Sequence, residues 1–160
     1  LTSSTGQLRG SESPDAKPGG YFTIDTPGTK AVVGFAAGKE CRLGDIAISL
    51  HCPFGAVYVT AQEPDKNLST STKLLITAIA RARNTGMQFT DAGDGLLNRG
   101  KAPILMEPVK ATITIDRPGA TKLRLLDHDG LRTESTLPLQ DGIAVIDTAR
   151  DKTPYYLVEF

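Results

Sequence analysis

Histidine and cysteine are the side chains of this sequence best suited to nucleophilic catalysis. A catalytic Ser or Cys needs a His that takes its proton and a third group that orients the His. His51 and Cys52 are neighbours at the end of a predicted strand, where consecutive side chains point to opposite faces. His128 lies in the turn sequence Asp127-His128-Asp129-Gly130, where a solvated side chain is the ordinary interpretation. We therefore predict no catalytic residue and no enzymatic activity for the chain.

Two cysteines, Cys41 and Cys52, leave two interpretations open. They could close a disulfide between neighbouring strands in an oxidising compartment, or they could be two buried thiols.

Metal and nucleotide signatures are absent from the sequence, which has no HExxH, no paired CxxC and no GxxxxGK[ST] motif. Asp91, Asp94 and Asn98 share one Gly-rich segment and offer the oxygen ligands that calcium prefers. A structural calcium ion at Asp91 and Asp94 is therefore the one cofactor hypothesis. A solvated turn is the more ordinary interpretation of the same residues.

Carboxylate pairs could perform acid/base chemistry on a glycosidic bond. The candidates Glu63, Asp65, Glu107 and Glu134 lie in loop-like or strand-edge contexts, and the sequence brings no two of them together. Exposed carboxylates that keep the protein soluble are the ordinary interpretation.

Sugar binding without catalysis would need aromatic faces, and Tyr21, Tyr58, Tyr155 and Tyr156 are the available amphipathic rings. Tyr155 and Tyr156 are adjacent in a predicted strand, so at most one of them belongs to the core. Tyr58 is predicted to be a core residue, whereas Tyr21 could be exposed. The chain has no Trp, which excludes a flat Trp platform of the kind that binds crystalline polymers.

The formal net charge is 0, from 18 Lys and Arg against 18 Asp and Glu, so no global field favours nucleic acid or anionic lipid. The longest apolar stretch, Leu74 to Ala80, is far shorter than the about 20 residues of a membrane span. We expect neither a nucleic-acid nor a membrane partner. Leu1 in place of Met predicts a mature product or an excised piece of a longer protein.

Short β-prone runs bounded by turn residues dominate the sequence from Tyr21 onwards. They predict an all-β, antiparallel β-sandwich of about nine or ten short strands, forming a single domain over residues 21–160. Residues 1–20, rich in Ser, Thr, Gly and Pro, are predicted to be a linker or irregular lead-in. The predicted strands are YFTID, KAVVGFAA, CRLGDIAISL, FGAVYVTA, VKATITID, TKLRLLD, GIAVIDT and YYLVEF.

Three further segments have distinct patterns. Helix and strand templates compete over residues 71–86, and the alternation of apolar side chains favours a strand. The Gly- and Pro-containing segment 91–103 is predicted to be a long surface loop. The HDG sequence at 128–130 predicts a hairpin turn.

Several longer stretches carry a resemblance to a known family of domains. They are FTIDTPGTKAVVGFAAG, LGDIAIS with FGAVYVTA, STKLLITAIARARNTG and GKAPILMEPVKATITI. The chain resembles, over nearly its whole length, a C-terminal β-sandwich accessory domain of bacterial (β/α)8-barrel glycoside hydrolases of the cellulase and β-galactosidase-like type. LTSSTGQLRG is similar to the seam between barrel and sandwich, and TPYYLVEF is similar to the enzyme's last strand. A barrel of about 250 residues does not fit in this chain, so no residue here inherits a catalytic role.

The resemblance implies one of two functions in polysaccharide degradation, in a secreted or periplasmic protein. In the first, the domain is a carbohydrate-binding module whose partner is a polysaccharide or oligosaccharide. The second is a purely structural sandwich that packs on the catalytic barrel and stabilises it. A third class, an independent small enzyme, would release reducing sugar by itself. The first hypothesis assigns sugar binding to Tyr21, Arg81, Arg83, Asn84, Gln88, Tyr155 and Tyr156.

Within that set, Arg83-Asn84-Thr85-Gly86 is the most site-like cluster, because Gly86 permits a tight turn that would display Asn84. The ordinary alternative is a hairpin turn with a capping Asn.

Overall fold

The computed structural model describes residues 1–11, 19–120 and 122–160. Its elements, in chain order, are β1 (Leu8–Ser11), β2 (Tyr21–Asp25), β3 (Thr29–Gly34), β4 (Glu40–Leu43), β5 (Ile46–Leu50), β6 (Gly55–Ala61), β7 (Lys73–Ile79), β8 (Ala82–Thr85), β9 (Gln88–Phe89), β10 (Leu96–Asn98), β11 (Lys101–Met106), β12 (Lys110–Ile115), β13 (Lys122–Leu126), β14 (Arg132–Pro138), β15 (Ile143–Asp147), α1 (Thr148–Asp151) and β16 (Tyr155–Glu159).

Two antiparallel sheets form the body of the molecule. The larger has eight strands in the order β1-β2-β3-β6-β7-β16-β13-β14, and the smaller has four in the order β15-β12-β5-β4. The predicted all-β sandwich is confirmed. The predicted number of about nine or ten strands is too low, since the described residues form sixteen.

The hydrophobic core lies between these two sheets, and period-2 alternation builds it. In β7 the side chains of Leu74, Ile76 and Ala78 are fully buried, while the residues between them face outward. Ala111, Ile113 and Ile115 of β12 alternate in the same way on the opposing sheet. One continuous cluster of buried residues therefore joins the sheets.

The strand prediction for residues 71–86 is confirmed by β7 and β8. The HDG prediction also holds, because the hairpin of β13 and β14 closes through Gly130 N donating to Asp127 O at 3.1 Å. CRLGDIAISL, in contrast, is not one strand. It folds back as β4 and β5 around Gly44, which has a φ of 58°.

Two predicted irregular segments contain strands. Residues 1–20 were expected to be a lead-in without regular structure, but Leu8–Ser11 pair with Tyr21–Ile24 and add an edge strand to the larger sheet. Residues 12–18 of that segment lie outside the described residues. The expected loop 91–103 contains β10 and begins β11. In both cases partner strands satisfy the backbone hydrogen bonds, which overrides weak local β-propensity.

Residues 81–107 form a feature that we call the arm. The chain leaves β7 of the larger sheet, runs out along β8 and β9, returns along β10 and β11, and enters β12 of the smaller sheet. β8 pairs with β11, and β9 pairs with β10. All residues from 81 to 107 are described, and none of them is buried.

The helix α1 has four residues. Among the described residues, no helix combines the length and apolar character that crossing a membrane would require.

Candidate functional site

Tyr156 is a core residue, which corrects its assignment to sugar binding. Its side chain has 0% exposure, and its hydroxyl donates to Asp151 Oδ2 at 3.0 Å. Burial and the nearby Asp151 carboxylate raise the pKa of the Tyr156 phenol far above its ordinary value. A ring enclosed between two sheets cannot stack on a ligand.

Tyr155 points the other way, onto the outer face of the larger sheet. It is half-buried, and its cross-strand neighbour is Thr77, which in turn lies opposite Tyr58. The predicted division of the pair, with one ring in the core and one outside, is therefore what the structure contains. Tyr58 was expected in the core but is half-buried on this outer face.

Tyr21 lies on a different part of the molecule. The strand β2 is four strands from β16 in the larger sheet, which corresponds to about 19 Å at the usual strand spacing. The Lys39 ammonium lies over the half-buried Tyr21 ring, 5.0 Å from its centroid. Tyr21 and Tyr155 therefore do not belong to one sugar-binding surface.

The remaining predicted sugar ligands lie in the arm, and three of them are engaged inside it. Arg81 pairs with Glu107, Nε to Oε2 at 2.9 Å, and its guanidinium lies 5.5 Å from the Phe54 ring centroid. Arg83 lies over the Phe89 ring at 5.0 Å.

Asn84 Nδ2 donates to Arg99 O at 2.9 Å, and Met87 N donates to Asn84 O at 3.1 Å. The Met87–Asn84 bond makes this cluster a turn, as the ordinary interpretation expects, but β8 and β9 on either side of it pair with β11 and β10 and not with each other, so the turn does not close a hairpin. Gln88 is exposed on β9.

The arm also exposes a set of apolar side chains that the sequence analysis did not select. Six large apolar residues have between 39% and 69% of their surface exposed. The signal was visible as the short runs LLN and ILM, but their Gly- and Pro-containing surroundings indicated a loop. The six residues are Phe89, Leu96, Leu97, Ile104, Leu105 and Met106.

The predicted calcium ligands take part in turn hydrogen bonds. Asp94 Oδ1 accepts from Thr90 Oγ1 at 2.7 Å, and Asn98 Oδ1 accepts from Gly100 N at 2.9 Å. Asp91 is exposed. Within the described parts of the chain, no group of three or more His, Cys, Asp or Glu side chains is placed to hold a metal ion.

Of the two histidines considered for catalysis, one has a hydrogen-bond partner and the other is exposed. His51 Nε2 lies 2.8 Å from Thr112 Oγ1, and His128 is exposed in its turn. Both cysteines are free, buried thiols, and burial raises the pKa of Cys41. Of the two interpretations of Cys41 and Cys52, the structure therefore agrees with the buried thiols and not with the disulfide.

Of the carboxylates considered for acid/base chemistry, Glu63 is the most constrained. Its Oε2 accepts hydrogen bonds from Thr72 N, and from Thr72 Oγ1 and Ser71 Oγ at 3.0 Å each. These bonds hold the pKa of Glu63 below its usual value. Glu107 pairs with Arg81, whereas Asp65 and Glu134 are exposed.

A concavity on the outer face of the larger sheet has the composition of a binding site. It has a volume of about 400 Å³ and lies among β7, β13, β14 and β16. Its floor contains Leu75 and Leu157, which are cross-strand neighbours, and the Tyr155 ring forms part of its wall. Tyr155 is the single predicted sugar ligand that lines it.

Comparison of the chain with protein-family models, with curated proteins and with solved structures gave no match.

Proposed function

We propose that the chain is a non-catalytic accessory domain that docks through its arm on a companion domain. The companion that the sequence resemblance implies is the catalytic (β/α)8 barrel of a secreted or periplasmic glycoside hydrolase that degrades polysaccharide. The domain would pack against this barrel and stabilise it.

The exposed apolar side chains of the arm are the observation that supports docking. A concentration of exposed large apolar side chains in one segment is typical of an interaction surface. Leu97 and Ile104 are 68% and 69% exposed, and Leu105 is 56% exposed. Because Ile104 and Leu105 are consecutive in β11, their side chains point to opposite faces of the arm. A partner that covers only one face would leave apolar surface in water, so we expect the arm to be seated in a cleft of the companion domain.

The arm is preorganised for such an interaction. Its strands pair along their length, Glu107 N donates to Arg81 O at 2.9 Å, and Thr85 Oγ1 donates to Pro103 O at 2.9 Å. A segment already held in its bound shape loses less conformational entropy on docking than a flexible loop.

The arm also exposes charged residues of the kind that border an interface. Asp91, Arg99 and Lys101 are exposed beside the apolar side chains. Protein interfaces commonly combine an apolar centre with a charged, solvent-accessible border.

A sugar-binding site built from the seven predicted residues receives less support from the geometry. Tyr156 is enclosed, Tyr21 and Tyr155 are far apart, and Arg81 has a carboxylate partner within the domain. Docking is therefore the function that these contacts favour.

The coding sequence upstream of Leu1 provides the first test. The proposal expects alternating strand and helix patterns of a (β/α)8 barrel there. A start codon directly before Leu1, or an upstream domain of another class, would contradict the proposed companion.

Site-specific photo-cross-linking in the full natural polypeptide provides the second test. A photoreactive amino acid at Leu97 should cross-link to peptides of the barrel. The same group at Ser135, exposed on the edge strand β14, is the matched control and should not. Cross-links from Leu97 only to a second copy of this chain, or equal yields from both positions, would overturn docking on the barrel.

A further inference from the structure

The concavity beside Tyr155 lies apart from the arm, and the docking proposal assigns it no role. Its three leucines, Leu75, Leu126 and Leu157, supply an apolar floor. Its volume of about 400 Å³ falls within the range of about 300–1,000 Å³ that is usual for small-molecule sites.

Polar side chains with both donors and acceptors surround this floor. Gln62, His128, Asp129 and Arg132 all line the concavity, and their side chains end in an amide, an imidazole, a carboxylate and a guanidinium. A sugar hydroxyl is itself both donor and acceptor, so a mixed rim of this kind matches it. The C–H face of a pyranose would lie on the leucines and against the Tyr155 ring, since aromatic rings offer a broad apolar surface with a polar tip.

The charges on the lining favour an uncharged ligand. Asp129 contributes one negative charge and Arg132 one positive charge. Arg132 is further engaged with Glu159, Nη2 to Oε1 at 2.8 Å, and Glu159 also lies 3.6 Å from Arg124 Nε. The residues that line the concavity therefore carry one charge of each sign and no net charge.

The rim is held in shape by its own turn. Asp127 Oδ1 accepts from Asp129 N at 2.9 Å and from Leu131 N at 2.8 Å, so the segment that carries His128 and Asp129 has a defined conformation. On these grounds we propose that the concavity lined by Tyr155, Leu157, Gln62 and Asp129 binds a neutral pyranose unit of an oligosaccharide. This site is independent of the arm and of the docking function.

The test is a titration of the isotopically labelled chain with neutral hexasaccharides of β-linked glucose, xylose, mannose and galactose, followed by amide NMR and calorimetry. At least one should bind and shift the amides of Leu75, Gly130 and Leu157. The amides of Leu97 and Leu105 in the arm should not move.

The paired variants Tyr155→Ala and Tyr58→Ala make the test specific. Both rings are half-buried on the same face, two strands apart, or about 10 Å. We expect Tyr155→Ala to weaken binding by about tenfold or more and Tyr58→Ala to change it by less than about twofold. Asp129→Ala, in an exposed turn, should weaken binding without any effect on folding.

Three results would overturn the proposal. They are a dissociation constant above about 10 mM for all four sugars, shifts confined to other surfaces, and equal losses in the two tyrosine variants. Because none of these measurements involves the companion domain, their failure is separate from failure of the docking proposal.

Discussion

Tyr155 and Tyr156 show how one step along a strand separates two chemical roles. Tyr156 packs between the sheets with its hydroxyl on Asp151, and Tyr155 faces the concavity. The Asp151 side chain is itself 3% exposed and also accepts from Arg150 Nε at 2.6 Å and Asp147 N at 3.0 Å. The buried carboxylate is thus satisfied from three directions, and the phenol is one of them.

Removal of that phenol should destabilise the domain. Tyr156→Phe leaves the ring in place but deletes one hydrogen bond to a buried carboxylate, which we expect to lower the free energy of unfolding by about 1–3 kcal/mol. Urea unfolding at neutral pH measures this. Tyr155→Phe is the control and should lie within about 0.5 kcal/mol of the natural chain. A loss no larger than that of the control would show that Asp151 does not need the hydroxyl.

The raised pKa of Tyr156 also predicts alkaline sensitivity. An unfolded tyrosine ionises near pH 10, whereas the folded Tyr156 keeps its proton to higher pH. Its contribution to stability is therefore full below about pH 10 and is lost as pH rises from there towards the folded pKa, by up to about 1.4 kcal/mol per pH unit. Urea unfolding at intervals up to about pH 11 should show a steeper decline in the natural chain than in Tyr156→Phe. The same dependence of the unfolding free energy on pH in the natural chain and in Tyr156→Phe would contradict this prediction.

Which tyrosine enters the core could not be read from the sequence. Alternation predicts that Tyr155 and Tyr156 face opposite ways, but both have apolar neighbours in YYLVEF. The choice is made by the register of β16 against β7, which sets Tyr156 opposite Ile76 and Tyr155 opposite Thr77. That pairing joins strands about 80 residues apart, so no local pattern contains it.

At the scale of elements, the arm depends on Gly100, because the backbone atoms of Thr85 and Met87 lie very close to it. A Cβ added there would lie 2.5 Å from Thr85 O and 2.7 Å from Met87 N, and the residue has a φ of 66°. Gly86 has a similar φ of 74°, but a Cβ there would meet no atom within 4 Å. The two glycines share a backbone conformation and differ in the space around them.

Gly100→Ala should therefore open the arm, whereas Gly86→Ala should be the milder change. Both substitutions carry the cost of a left-handed alanine, about 1–2 kcal/mol, but Gly100→Ala adds a backbone clash. Amide hydrogen exchange should show lost protection in β8 and β11 for Gly100→Ala, with protection of β7 and β12 unchanged. Equal protection of the arm in both variants would show that the clash at residue 100 does not open the pairing of β8 with β11.

Elements with strong local signals were predictable, and those that depend on distant partners were not. HDG supplies its own turn hydrogen bond, and the hairpin that it predicts is present. β1 and β10 lie in segments rich in Ser, Thr or Gly and become strands only because β2 and β9 pair with them. Because of this composition, the sequence predicted a loop in place of the returning strands of the arm. The apolar surface of the arm, which supports the proposed function, was therefore not predicted.

At the scale of the whole molecule, the sandwich and the arm are energetically separate. The continuous core includes Ala78 and Val109 on either side of the arm, and no residue from 81 to 107 belongs to it. Arg81 and Glu107 are joined by a backbone hydrogen bond and an ion pair at the point where the arm begins.

A chain in which Asn-Gly replaces residues 82–106 should therefore fold as the natural chain does. The backbone bond from Glu107 N to Arg81 O is the one that a two-residue hairpin turn would form, so the substitution closes the gap without strain. We expect the free energy of unfolding to change by less than about 1 kcal/mol, against about 2–5 kcal/mol for Ile76→Ala in the core. Urea unfolding compares the two.

The same shortened chain separates the two proposals. It should lose association with the companion domain and retain sugar binding at the concavity. Failure of the shortened chain to fold would show that the arm contributes to the core's stability.

The route of the chain through the arm has a mechanical consequence. The arm continues β7, which lies between β6 and β16, and returns into β12, which lies between β5 and β15. Tension on a docked arm would pull both strands along their length, and each is held by ladders on two sides whose bonds run across the direction of pull. Because the arm is attached to two inner strands and to no edge strand, a load on it would have to shear ladders in both sheets at once and could not peel a single strand away.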